Sequence, residues 1–135
     1  MKIFNWYKKV VFENYVNFKG RARRSEYWYF TMFTTIFLLL GFYIDNLLGL
    51  NFEQETGGPF YLIVLLGSIL PGLAVTVRRM HDQNKSGWFV LVCFVPCIGS
   101  LWLLILLVTE GTLGKNSFGE DPKRPYDEIN DIGLE

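Results

Sequence analysis

His81 and Asp82 offer the most obvious chemistry in this sequence. A histidine beside a carboxylate is material for a general acid/base pair, with Glu26 as a second carboxylate and Ser86 as a candidate nucleophile. Against this, side chains of adjacent residues do not face one another, and nothing nearby is placed to activate Ser86. The plainer reading of His81, the only histidine of the chain, is a loop residue that bonds a neighbour or a lipid phosphate. Cys93 and Cys97 stand at i, i+4 inside an apolar run, away from the histidine and off the C-x-x-C spacing, so they read as small buried thiols rather than zinc ligands. The run "GTLGKNSFG" lacks the phosphate-loop pattern. No metal, no cofactor and no catalytic set is therefore expected.

The arginines say more. "GRARRSEYWYF" places Arg21, Arg23 and Arg24 directly before a run of four aromatic residues, with Ser25 and Glu26 between. Guanidinium groups make bidentate bonds to phosphates, Ser25 is a good helix N-cap, Glu26 suits a first turn, and Tyr27 to Phe30 match an aromatic belt. The chain passes here from water into lipid. "VRRMHDQNKSGWFV" repeats the arrangement, with Arg78 and Arg79, a polar turn and an aromatic entry into another apolar run. If both stretches lie on one side of a membrane, Arg21, Arg23, Arg24 and Glu26 can meet Arg78, Arg79, His81 and Asp82. Glu26 and Asp82 are then the counter-charges for arginines that would otherwise repel, and the cluster is a candidate site for lipid or a partner.

The elements that must position these residues are apolar helices. Half of the 135 residues are hydrophobic, and they are segregated. No Asp, Glu, Lys, Arg or His occurs from Tyr27 to Ile44, from Phe60 to Val77, or from Trp88 to Val108. A helix needs roughly 20 apolar residues to cross a hydrocarbon core. Spans are expected at about 27–48, 60–77 and 88–108, giving a transmembrane helical domain over 21–108. A soluble bundle would show polar faces that these runs lack. The first run is also too long, and too far from the N-terminus, for a cleavable signal. With no ionisable group expected at membrane depth, ion-coupled transport is not asked for, although a subunit of a channel or transporter stays open.

Charge sets the orientation. Residues 1–26 carry seven Lys/Arg and two acids, residues 109–135 carry three and seven, and the loop from Asp45 to Pro59 carries no Lys or Arg. The positive-inside rule puts the N-terminus and the Arg78–Lys85 loop in the cytoplasm. One kinked third span would put the polar acidic tail, 109–135, outside. Pro96 and Gly99 allow a broken or re-entrant segment that brings it back. Length favours the single span.

Residues 1–20 have Ile3, Trp6, Tyr7, Val10, Val11, Tyr15 and Phe18 at helical spacing, which predicts an amphipathic helix in the cytoplasmic interface that ends at Gly20. Within the second span, Ser68, Gly72 and Thr76 recur every four residues beside Pro71. Such a stripe permits close helix packing, against the third span or a second copy of the chain.

In order and spacing, "GRARRSEYWYF", "RRMHDQNKSGW", a Pro-x-x-Gly apolar segment and "TEGTLGKNSFGEDP" resemble the bacterial domain of unknown function 805 family, the YhaH-type inner membrane proteins. The resemblance covers roughly residues 12–122. It implies a small multi-pass protein of the bacterial cytoplasmic (inner) membrane and supplies no reaction.

The expectation is thus an all-α membrane protein with an interfacial N-terminal helix and about three spans. Its expected partners are the lipid bilayer and anionic phospholipid headgroups, with a homo-oligomer or another membrane protein left open and no nucleic acid. A non-enzymatic binding role is favoured over an enzyme that uses His81, Asp82 and Glu26 on lipid headgroups. A pocket that encloses His81 with either carboxylate would reverse that preference.

Overall fold

The computed structural model describes residues 3–53, 56–119 and 121–122. Helix α1 (Ile3–Lys8) runs into a π-helical turn (Lys9–Glu13), followed by α2 (Arg24–Leu48), α3 (Pro59–Asp82), a 3₁₀ segment (Gly87–Phe94) and α4 (Gly99–Val108). Among the described residues there is no strand, and Asn116 and Gly119 form an isolated bridge.

Local chemistry sets the turn between α2 and α3. Gly49 closes α2 in the left-handed conformation, φ +68°, and Pro59 opens α3, where its missing N–H costs nothing. The fully buried Asp45 carboxylate accepts from the backbone N–H groups of Gly58 (2.9 Å), Phe60 (3.2 Å) and Tyr61 (2.9 Å). A carboxylate at a helix N-terminus satisfies orphan donors and opposes the positive end of the dipole. Asp45 thus lies in the last turn of α2 and serves as the cap of α3.

The two long helices form the central antiparallel pair, and each is long and apolar enough to cross a membrane. Only 11% and 17% of their most apolar windows are buried, where a soluble core helix would be mostly covered. Leu39, Leu47, Ile63 and Leu66 all face outward. This is an all-α membrane protein, with its apolar surface turned to lipid.

Within the pair, α2 and α3 come together away from the stripe of Ser68, Gly72 and Thr76. The close approach is at Gly41, where an added Cβ would sit 3.0 Å from the Tyr61 nitrogen. Gly72 faces Phe30 of α2 at ordinary contact distance, not the third apolar segment. The Ser68 and Thr76 hydroxyls bond back within α3, to the carbonyls of Leu65 (3.0 Å) and Gly72 (2.7 Å).

The N-terminal segment is helical over a shorter stretch than its spacing to Gly20 predicts. Its helical turns stop at Glu13, and Tyr7, Val10 and Val11 of its apolar face pack on the helix pair. Val10, Ala22, Phe30 and Val75 form one buried cluster. Tyr7 stacks on Phe30 at 5.8 Å and meets Phe37 edge-on at 5.4 Å, and the Tyr15 hydroxyl donates to the Gly67 carbonyl at 2.8 Å. Such aromatic pairs add roughly 0.5–1.5 kcal/mol each beyond the area they bury.

Residues 88–108 are not one kinked helix. The 3₁₀ segment ends at Phe94, the chain turns through Pro96 and Cys97 (φ +70°), and α4 starts at Gly99. Ten residues of α4 rise about 15 Å, half of a hydrocarbon core. Both arms return to the Asp82 end of α3. Gly87 lies against Val77 there, and Arg79 and Gln83 reach the last carbonyls of α4. The segment is a hairpin, the alternative that length alone disfavoured. Proline breaks the helix, and donors at the end of α3 satisfy the carbonyls at the C-terminus of α4.

Candidate polar site at the arginine end

Helix α3 runs past residue 77 to Asp82. That extra turn brings Arg78, Arg79 and Asp82 to the level where α2 begins and α4 ends, and all three are buried. Each of these three buried charges has an ionic partner, which separates this arrangement from a loose interfacial patch.

Asp82 is the centre of the first group. Its Oδ1 lies 3.0 Å from both Nε and Nη2 of Arg21, and its Oδ2 lies 2.5 Å from Nη1 of Arg79. Arg21 also donates to the carbonyls of Gly114 (2.5 Å), Thr112 (2.5 Å) and Gly119 (3.4 Å). One guanidinium thus ties Asp82 to three points of the tail. The tail returns the contact: the Thr112 N–H donates to the Asp82 carbonyl at 2.7 Å, and the Asn116 amide donates to the His81 carbonyl at 2.9 Å. At Gly111 a Cβ would collide with the Asp82 carboxylate, so the backbone comes this close only because the position is glycine.

The same arginines cap the hairpin. The Leu106 carbonyl accepts from Gln83, Leu107 from Arg79 (3.3 Å), Val108 from Arg24 (3.1 Å) and Thr109 from Arg79. These are the orphan carbonyls of a helix C-terminus, the end a cation favours.

The second group is Glu26, fully buried, 2.5 Å from Arg78 Nη1 and 3.8 Å from Lys9 Nζ. The Ala22 N–H donates to the Arg78 carbonyl at 3.0 Å and links the two groups. Nε and Nη2 of Arg78 are buried and make no hydrogen bond among the described residues.

Of the eight residues expected to gather, five are ion-paired inside: Arg21, Glu26, Arg78, Arg79 and Asp82. Arg23 and Arg24 lie nearer the surface. The Arg23 guanidinium sits 5.3 Å above the Trp6 ring, and Arg24 forms a half-exposed pair with Glu110 at 2.5 Å. His81 stands apart from both carboxylates. Its Nδ1 lies 3.0 Å from the Gly20 carbonyl, to which it donates, and its ring stacks on Phe118 at 4.1 Å. It lines an apolar groove of about 480 Å³ with Phe18, Leu73, Val77 and Trp88, and neither Glu26 nor Asp82 reaches that groove. Ser86, at the same groove, accepts from the Trp88 N–H as the cap of the 3₁₀ segment.

Sequence reasoning missed Lys9, Gln83, Glu110, Thr112 and Asn116. The tail residues stood inside "TEGTLGKNSFGEDP", a run dense in glycine and small polar residues, which marks a chain that must fold closely onto something. The tail beyond Pro122 lies outside the described residues.

The family model described as "Protein of unknown function (DUF805)" matches residues 15–120. The chain is similar to "Inner membrane protein YhaI" of Escherichia coli (strain K12), 45% identical over 118 residues, covering 87% of this chain and 95% of that protein. It is also similar to "Inner membrane protein YhaH" of the same strain, 42% identical over 121 residues, covering 88% and 97%. The "Uncharacterized protein YiiR" of that strain is 27% identical over 130 residues, covering 78% and 85%. No solved structure matches the chain.

Proposed function

The chain belongs to the DUF805 family, and on that premise we propose that it is a non-enzymatic protein of the bacterial inner membrane whose arginine-bearing end binds anionic phospholipid. Its topology in this reading is two spans, α2 and α3, with a hairpin that enters and leaves the membrane on one side. The N-terminus and the start of the tail share that side, the cytoplasm, as the Lys/Arg distribution asks. The names of YhaI and YhaH support the location.

One observation carries the binding role. Arg21, Arg78 and Arg79 are spent on buried carboxylates, whereas Arg23 and Arg24 are held at the surface of the same end. The buried pairs build the end, and the outer pair faces the headgroup layer, where a basic residue contributes about 1 kcal/mol. The enzymatic alternative loses support because both carboxylates are occupied by arginines and neither joins His81 in a groove.

Purified protein mixed with equal phosphatidylglycerol and phosphatidylcholine in bicelles, then analysed by native mass spectrometry, is expected to retain mainly phosphatidylglycerol. Equal retention of the two lipids overturns the reading.

A further inference from the structure

Between the start of α2 and the end of α4 lies an open groove of about 650 Å³, lined by Arg23, Arg24, Ser25, Trp28, Tyr29 and Val108. We infer that this groove seats the phosphodiester of one anionic phospholipid, with an acyl chain laid along the exposed face of α2 below it. The inference rests on the lipid-binding reading and gives it an address.

Four features converge there. The Trp6 ring holds the Arg23 guanidinium in place, 5.3 Å from the ring centroid. Arg24 supplies the second guanidinium, and two such groups match a phosphate's oxygens. Helix α2 begins at this point without a side-chain cap bond from its N-cap, Arg23, so the positive end of a 25-residue helix adds to the field. Finally, Trp28, Met32, Ile36, Leu39 and Leu40 are exposed at helical spacing and continue from the groove as an apolar stripe. A soluble phosphate has no use for that stripe, whereas a lipid tail does.

Glu110 is the built-in competitor. Its carboxylate lies 2.5 Å from Arg24 Nη2, and both side chains are about half exposed, so the pair is weak and exchangeable. A lipid phosphate entering the groove takes the place of Glu110 on Arg24. Removing the competing charge must therefore strengthen binding, a gain that misfolding cannot imitate.

The experiment measures the dissociation constant of the first phosphatidylglycerol bound to the full chain in detergent, by native mass spectrometry. The variants are Arg23→Gln/Arg24→Gln, Glu110→Gln and the exposed Lys19→Gln, each checked for wild-type melting. Loss of two charged hydrogen-bonding groups is expected to weaken binding about tenfold or more. Glu110→Gln is expected to tighten it roughly threefold, Lys19→Gln to leave it unchanged, and excess inorganic phosphate not to compete. If the double variant and Glu110→Gln both bind as the wild type does, the groove is not the seat, although lipid selectivity stands. Competition by inorganic phosphate overturns the lipid as occupant. If the wild type does not prefer phosphatidylglycerol to phosphatidylcholine, both the seat and the broader reading fall.

Discussion

Arg21 and Asp82, 61 positions apart, meet at 3.0 Å in a buried pair, and the same guanidinium holds three carbonyls of the tail. The pair fastens the N-terminal arginine run, the end of α3 and the tail at one point. Arg21→Met leaves a buried carboxylate with Arg79 alone, and breaking a buried pair costs roughly 3–5 kcal/mol. The tail should also come loose. Trypsin cleavage after the exposed Lys115 is expected to accelerate in the variant, together with a lower melting temperature. An unchanged cleavage rate would separate the tail from this clasp.

Glu26 and Arg78 give the cleaner test of pairing, because their side chains are enclosed and 2.5 Å apart. Glu26→Arg and Arg78→Glu should each destabilise strongly, and the double swap should recover part of the loss. Coupling of about 1–3 kcal/mol is expected from a thermal double-mutant cycle in nanodiscs. Additive effects would show that the two charges act separately.

Asp45 makes a prediction about the opposite end of the helix pair. Asp45→Ala removes the acceptor of three N–H groups at the start of α3 and leaves them facing a buried gap. A loss of about 1–2 kcal/mol is expected, with Asp45→Asn intermediate. Melting of the purified variants decides it, and equal stability of all three proteins would remove the capping role.

Gly41 and Gly72 should behave differently. A side chain at Gly41 meets the α3 backbone at 3.0–3.1 Å, and backbone cannot swing aside; at Gly72 it meets the Phe30 ring at 3.5 Å, which can move. Gly41→Leu is expected to cost about 1–3 kcal/mol or more, the usual penalty for overpacking a core. Gly72→Leu should cost less. The reverse order in detergent melting would return the packing role to the stripe of Ser68, Gly72 and Thr76.

The hairpin fixes a topological expectation. A reporter fused after Pro122 should report the same side as one at the N-terminus, and a reporter in the Asn51–Gly58 loop should report the other. Paired alkaline phosphatase and fluorescent protein fusions read this directly. Opposite sides for the N-terminus and Pro122 would reinstate a third full span.

Composition alone determined the solvent of this protein. Apolar runs at 27–44 and 60–77, bounded by arginines and aromatics, specify membrane helices wherever the rest of the chain goes, because hydropathy is a sum over single residues. The same local logic anticipated that Glu26 and Asp82 must serve the arginines, since unpaired charges at an interface repel. Which arginine takes which acid was not legible. Pairing depends on distances between residues some 50 to 60 positions apart, and those exist only once α2 and α3 are packed. The fate of residues 88–108 was decided the same way. Twenty-one apolar residues fit one span or a hairpin equally well by hydropathy, and the choice rested on donors from Arg24, Arg79 and Gln83 that satisfy the carbonyls of α4. Asp45 went unread for the complementary reason. A carboxylate near the end of an apolar run looks like the edge of the membrane until the next helix arrives and places three N–H groups around it.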